Sequence, residues 1–197
     1  MHIACVAAGS ILLGAGESQA VTIIPVINGD FEAQTGDIGD PTGWSGVGSY
    51  RVYNDTGSRV PGSRYVKVRT IGDGDLLQKG AISFTENTLQ LDGYFAGDGS
   101  DIAKVTLSLL DASDAEVFSV TDSTSSSAWP AFQLVINDVH TTHATATQWQ
   151  IRLDYDNVTS SYAASKFDDI TLTAVPEPSA MALLGLGAVA FILRRRK

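Results

Sequence analysis

Strict alternation of apolar and polar side chains dominates the middle of this chain. In TQWQIRLDY (147–155), Trp149, Ile151, Leu153 and Tyr155 share one face, with Gln148, Gln150, Arg152 and Asp154 on the other. Successive side chains of an extended strand point to opposite sides, so this is the signature of a half-buried strand. LQLDGYFA (89–96) groups Leu89, Leu91, Gly93 and Phe95 against Gln90, Asp92 and Tyr94, and YVKVRT (65–70) sets Val66 and Val68 against Tyr65, Lys67 and Arg69. AKVTLSLLDA (103–112), EVFSVT (116–121), AFQLVIND (131–138) and FDDITLTAV (167–175) are the other predicted strands. Turn-forming runs separate them: GDGD at 72–75, GDGSD at 97–101, DASDAE at 111–116 and NVTSS at 157–161, while DSTSSSA (122–128) reads as a polar loop. No segment between residues 21 and 175 sustains a helical period. Many short strands, each with one wet and one dry face, predict an all-β antiparallel sandwich. The Gly-Asp turns recur at no fixed interval, which argues against a solenoid.

The two ends follow another pattern. Residues 3–15, IACVAAGSILLGA, are an apolar run, and Ser18-Gln19-Ala20 supplies the small residues that signal peptidase needs. The reading is a signal helix over 1–20, cleaved after Ala20, although only Met1 and His2 stand where a positive charge is usual. Cys5 lies too near the first residue to follow an apolar run, which argues against a lipoprotein. At the other end, Ala180 to Leu193 is apolar or small on every side, and Arg194, Arg195, Arg196 and Lys197 follow. A buried helix would carry a polar stripe at the 3.6-residue period, and this segment has none. As a helix it reaches roughly 21 Å at ~1.5 Å per residue, against ~30 Å of hydrocarbon. Snorkelling arginines and local thinning of the bilayer cover the shortfall. The expected element is a short hydrophobic helix that halts in the inner membrane with its basic end in the cytoplasm.

Charge narrows the partners of the segment between these ends. Setting aside Glu17, Glu177 and the four terminal cations leaves nine Lys/Arg against twenty Asp/Glu, a formal charge of −11 over residues 21–175. Nucleic acid requires a basic footprint, so it is not an expected partner. The acidic residues are scattered singly, as on a solvated folded surface. Cys5 is the chain's single cysteine, so neither a disulfide nor a thiolate zinc site is available to this domain. The segment is long enough to bury one core.

Two resemblances rest on particular residues. Val175-Pro176-Glu177-Pro178-Ser179, the short apolar segment and the arginines Arg194, Arg195 and Arg196 together resemble the PEP-CTERM sorting signal of Gram-negative bacteria. That resemblance implies recognition by an exosortase, a membrane-embedded cysteine protease, cleavage near Pro-Glu-Pro and transfer to the cell surface or extracellular matrix. The two prolines hold the region extended, a form that a protease can grip. The implied division is a signal peptide at 1–20, a sandwich at 21–175 and a sorting signal at 176–197. INGDFEA (27–33), Gly43-Trp44 and FDDITL (167–172) resemble the carbohydrate-binding-module or galactose-binding-like superfamily, which implies a jelly roll. About a dozen positions carry this second likeness, and such sandwiches host many functions.

FDDITL also poses a question of charge. Alternation puts Asp168 on the face of Ile170 and Leu172, where an unpaired carboxylate is costly. The superfamily resemblance implies one structural calcium joining the first and last strands, with Glu32 and Asp168 as ligands and backbone carbonyls completing its oxygen shell. The alternative is that Asp168 caps a turn or meets an arginine.

Signals for catalysis are sparse. His140 and His143, in HTTH, have Asp138 as a further donor, but they fall in a Thr-rich segment between strands and read as an exposed loop. No G-x-S-x-G occurs, and no pair among the carboxylates is singled out for glycoside hydrolysis. The expectation is therefore an exported, non-enzymatic surface or matrix protein. A lectin-like module gripping extracellular polysaccharide is the alternative, and a glycoside-active enzyme the more distant one. Stacking on sugars needs exposed aromatics, for which Tyr50, Tyr53, Tyr94, Trp129 and Tyr162 are available. Gln90 and Tyr94 share one outer face, and Gln148, Gln150 and Arg152 form a matching row on a later strand. Were those strands neighbours, the five would make a patch suited to a neutral or acidic polysaccharide, and the neutral one is expected, since the overall acidity repels polyanions.

Overall fold

The computed structural model describes residues 21–33, 41–54, 58–59, 63–69, 74–97, 101–156 and 164–175. The signal helix, Ala20, the hydrophobic helix and the sorting residues Pro176, Glu177, Pro178, Arg194, Arg195 and Arg196 lie outside them, as does Tyr162. The described residues form strands β1 (Thr22–Ile24), β2 (Ser45–Val47), β3 (Ser49–Tyr53), β4 (Tyr65–Arg69), β5 (Gly74–Ala81) and β6 (Thr88–Ala96). They continue with β7 (Ile102–Leu110), β8 (Glu116–Thr124), β9 (Ala131–Ile136), β10 (Gln148–Asp156) and β11 (Ser165–Val175).

The strands make two antiparallel sheets. One runs β3-β4-β11-β6-β9, with β1 pairing to β11 as well; the other runs β2-β5-β10-β7-β8. A single hydrophobic core is drawn from both sheets. Leu89, Leu91, Phe95, Val66, Val68, Phe167 and Leu172 come from the first, and Val105, Leu107, Leu109, Trp149, Ile151, Leu153 and Tyr155 from the second, all buried. Burying such side chains stabilises by about 1.5–3 kcal/mol each. Alternation therefore identified the dry faces of β6 and β10.

β5 escaped the alternation pattern because its inward row is Leu76, Gln78 and Gly80. A Cβ on Gly80 would lie 2.5 Å from the Trp149 ring, so the missing side chain is the space that Trp149 occupies. Buried Gln78 is spent on backbone: it accepts the Ile27 amide at 2.8 Å and donates to the carbonyls of Ile27 and Gly43 at 2.9 and 3.1 Å. Two other expectations shift. Asp122–Thr124, read as loop, extend β8, and Tyr65, assigned to the wet face, is fully buried.

The chain enters and leaves at one end of the sandwich, since Thr22 pairs with Ala174. Lys166, near the start of β11, lies nine residues before Val175, roughly 30 Å away at ~3.3 Å per residue.

Candidate functional site

The residues that carried the superfamily resemblance meet in space. The loop 27–33 turns through positive φ at Asn28 (52°) and Phe31 (55°), and Asn28 stabilises the turn by accepting the Ala33 amide on its side chain at 3.0 Å. Fully buried Phe31 contacts Trp44 with ring centroids 5.7 Å apart, and the Trp44 indole donates to the Asn28 carbonyl at 3.3 Å. The same loop docks on β11, where Ile170 donates its amide to the Gly29 carbonyl at 2.9 Å.

That docking explains the position of Asp168, which differs from the expectation. A bulge lies between Asp168 and Thr171: Phe167 pairs with Phe95, Asp168 with Tyr94, and Thr171 with Asp92. Asp169 takes the extra residue at φ 52°. Asp168 thus shares the outer face with Tyr94, while Ile170 and Leu172 turn inward. It is nonetheless buried, at 2 % exposure. Burial first, and then the neighbouring charge of Asp169, push its carboxyl up to about 7, with Glu32 adding to the rise. The Asp169 amide, donating to Asp168 at 2.9 Å, and the Arg59 guanidinium oppose that rise. Arg59 lies 4.0 Å from Asp168, is ion-paired with Asp169 and stacks over the Tyr94 ring at 3.9 Å.

Glu32 and Asp168, the expected calcium ligands, are thus electrostatic neighbours. The positive charge facing Asp168 is Arg59, and Glu32 accepts the Arg64 amide. Among the described residues, Asp169 and Glu32 raise the cost of ionising Asp168 and Arg59 offsets it only in part, so its charged form is left incompletely compensated. Among the described residues, no group of three or more His, Cys, Asp or Glu side chains is arranged to hold a metal.

The outer face of the six-stranded sheet carries an aromatic cluster next to this locality. Tyr53 pairs with Tyr65 across β3 and β4. Their rings stack at 6.1 Å, and Trp129 meets Tyr65 edge-on at 5.4 Å. The Lys67 ammonium lies 4.4 Å from the Tyr53 ring centroid and 5.4 Å from that of Tyr65. Tyr53, Tyr94, Trp129 and Lys67 are each partly exposed. Further along β6, Gln90 and Gln133 donate to the two oxygens of Asp92 at 2.8 and 2.9 Å.

The five-residue patch is divided by the topology. Gln90 and Tyr94 lie on β6 in one sheet, and Gln148, Gln150 and Arg152 on β10 in the other. The outward faces of two packed sheets point in opposite directions, so no single patch unites them. Gln148 is already engaged, donating to Asp114 at 2.9 Å and to the Asp111 carbonyl at 3.2 Å. Tyr50 has the inward parity of Val52 and packs against the core. The histidines separate as well: His140 meets Phe84 edge-on, and His143 stacks on Phe118 at 4.4 Å. Asp138 is tied to Asn87 at 3.3 Å. Sequence reasoning missed Tyr65 and Lys67, whose roles depend on the pairing of β3 with β4.

Solved structures share this fold at low sequence identity. A Stig cyclase, Fisc, from Fischerella sp. TAU superimposes with a TM-score of 0.61 at 17% identity, over 80% of this chain and 99% of its own. The carbohydrate-binding module TmCBM61, solved with β-1,4-galactotriose, gives 0.51 at 15% identity, over 77% and 97%. The enzymatically active domain of tailspike protein 4 from bacteriophage CBA120 gives 0.57 at 14% identity, over 75% of this chain; the match spans about a fifth (21%) of the tailspike. No curated protein matches the sequence. Beyond the sandwich, the tail has an identity of its own: residues 174–197, beginning in the last two residues of β11, carry the PEP-CTERM protein-sorting motif.

Proposed function

We propose that this chain is an exported surface or matrix protein, released from the membrane by an exosortase, whose sandwich binds extracellular polysaccharide without cleaving it. The partly exposed rings of Tyr53 and Trp129, both packed on buried Tyr65 and beside Lys67, are the observation that carries the binding reading. Aromatic faces cover the apolar faces of pyranose rings, and the amide groups of Gln90 and Gln133, each bonded to Asp92 through one donor, keep an acceptor oxygen and a second N–H for hydroxyls. The sorting motif supports delivery to the surface, and the solved complex of TmCBM61 with β-1,4-galactotriose supports the ligand class. The cluster lies toward the end of β11 opposite Val175, away from the strand end that leads to the sorting motif. A structural calcium between Glu32 and Asp168 belongs to the proposal, motivated by the incompletely compensated charge of Asp168.

Affinity electrophoresis of the 21–175 domain through gels containing neutral or acidic polysaccharides tests the reading. Retardation by at least one polysaccharide, lost in Trp129→Ala, is the expected result. Free migration through the whole panel would overturn it.

A further inference from the structure

The large apolar side chains exposed among the described residues are Val21, Ile23, Ile27, Val47, Phe118 and Val135. The sheet register brings Val21, Ile23 and Val135 to one end of one face. Ile23 on β1 pairs with Thr173 on β11, Thr173 with Gln90 on β6, and Gln90 with Val135 on β9. Their chain neighbours Ile24, Leu172, Leu91 and Leu134 are buried, so this row of four faces outward. Ile23 is 78% exposed, the most of these apolar residues. A second outward row lies closer to the exit of the chain. Val21, next to the Thr22 partner of Ala174, stands beside Val175, and Val175 pairs with Thr88, whose hydroxyl donates to Asn137 at 3.1 Å.

None of these two rows' residues is charged, in a domain with nine Lys/Arg and twenty Asp/Glu. Glu86, at the same end, is turned to the Thr22 hydroxyl. Exposed aliphatic side chains in a patch free of charge have the composition of the centre of a protein interface. This end is also the root of the sorting tail. The motif begins at Ala174, inside β11, and Pro176 follows the strand at once. At ~3.5 Å per residue, Pro178 lies no more than about 10 Å from Val175. An enzyme that closes on Pro-Glu-Pro therefore comes against this face. A lipid surface fits it less well. The two rows contain no Trp, Tyr, Lys or Arg, the residues that hold proteins at headgroups, and the acidic domain is repelled by anionic lipid.

We propose that Val21, Ile23, Val135 and Val175 form a docking surface for the exosortase, an uncharged face that seats the folded domain on the protease while Pro-Glu-Pro enters its active site. This deepens the processing reading and rests on it. The sorting signal then has two parts: the linear motif, and a face that exists only once β1 and β9 have joined the sheet. An unfolded precursor lacks the second part and is processed more slowly.

The test follows the full chain in its native host after a pulse of label, reading by intact mass how fast it loses the segment beyond Pro-Glu-Pro. Ile23→Asp with Val135→Asp puts carboxylates in the face and should slow that conversion about tenfold, since an unpaired charge buried in an interface is costly. Loss of residues 1–20, read in the same spectra, should be unchanged. Val47→Asp, exposed on β2 of the other sheet, should stay within about twofold of wild type. Ile23→Asp alone keeps the result readable if the double variant misfolds. A flexible insertion of about eight Gly/Ser residues after Val175 separates motif from face, and in that background Ile23→Asp should have no effect. Wild-type rates in the double variant, an equal loss in Val47→Asp, or an effect of Ile23→Asp that survives the insertion would overturn the docking surface and leave the sorting reading standing. Wild-type chain that keeps Arg194–Lys197 throughout would remove both. Released protein that floats with vesicles of phosphatidylethanolamine and phosphatidylglycerol, and no longer does so after Ile23→Asp, would assign the face to lipid instead.

Discussion

Gly29 and Ile170 meet backbone to backbone: the Ile170 amide donates to the Gly29 carbonyl at 2.9 Å, and a Cβ on Gly29 would come within 2.1 Å of the Ile170 carbonyl oxygen. The obstacle is main chain on a bulged central strand, so it cannot rotate away. Gly29→Ala is expected to destabilise the domain by about 3 kcal/mol, the upper range for overpacking. Urea denaturation measures it as a fall in midpoint at constant slope. A loss under ~0.5 kcal/mol, the range of a neutral surface change, would show that the loop can slide off β11.

Asp168 makes stability depend on pH in an unusual direction. Its folded carboxyl is pushed up to about 7 from the ordinary aspartate value of 3.8, so between those values the native state holds a proton that the unfolded chain has released. Stability therefore falls as pH rises from about 4 to 7, by up to ~1.4 kcal/mol per pH unit from this group. In EDTA, Asp168→Asn should flatten that slope and be more stable than wild type at pH 8. A wild-type curve that rises through this window in EDTA, and is unchanged in the variant, would count against the buried, charge-crowded setting of Asp168.

Calcium acts on the same carboxylates with the opposite sign. If Glu32 and Asp168 hold the ion, calcium at about a hundredfold excess over Kd adds ~2.7 kcal/mol. It should raise the melting temperature at pH 8 and remove the acid-side advantage just described. Asp168→Asn should lose that response. Identical melting curves in calcium and EDTA would leave Arg59 as the countercharge to Asp168 among the described residues.

Tyr94 supports Arg59 at 3.9 Å, so it is more than an exposed surface tyrosine. Tyr94→Ala is expected to cost about 1–2 kcal/mol, the range for a partly desolvated cation–π contact, whereas Tyr94→Phe keeps the ring and should stay close to wild type. Thermal denaturation of the two variants makes the comparison. Equal losses would move the stabilising role from the ring face to the hydroxyl.

Processing follows from the two ends of the sequence. Intact mass of the exported protein should show loss of residues 1–20 and of the segment beyond Pro176-Glu177-Pro178. Recovery outside the cell of chain still bearing Arg194–Lys197 would contradict exosortase release. A truncation at Val175 should be exported but not retained at the surface.

The faces of β6 and β10 were legible in the sequence, because a two-residue period is a local property of extended backbone and each dry face is continuous. Trp149, Ile151, Leu153 and Tyr155 needed no knowledge of their neighbours. The sorting motif at the C-terminal end was legible too, since a Pro-Glu-Pro triplet, an apolar run and a basic cluster are read linearly. The INGDF, Gly-Trp and FDDI segments announced a fold because their contacts are backbone-to-backbone and tolerate few residues. Tertiary structure alone decided which strands are neighbours. It divided Gln90 and Tyr94 from Gln148, Gln150 and Arg152, and it brought Ile23, Val135 and Val175, which are distant in sequence, to one end of one face. It also overrode alternation at Asp168, where one residue at positive φ accommodates the docked Gly29 loop and reverses the parity of the strand. Pairing and bulges answer to long-range packing, and a linear period carries no record of either.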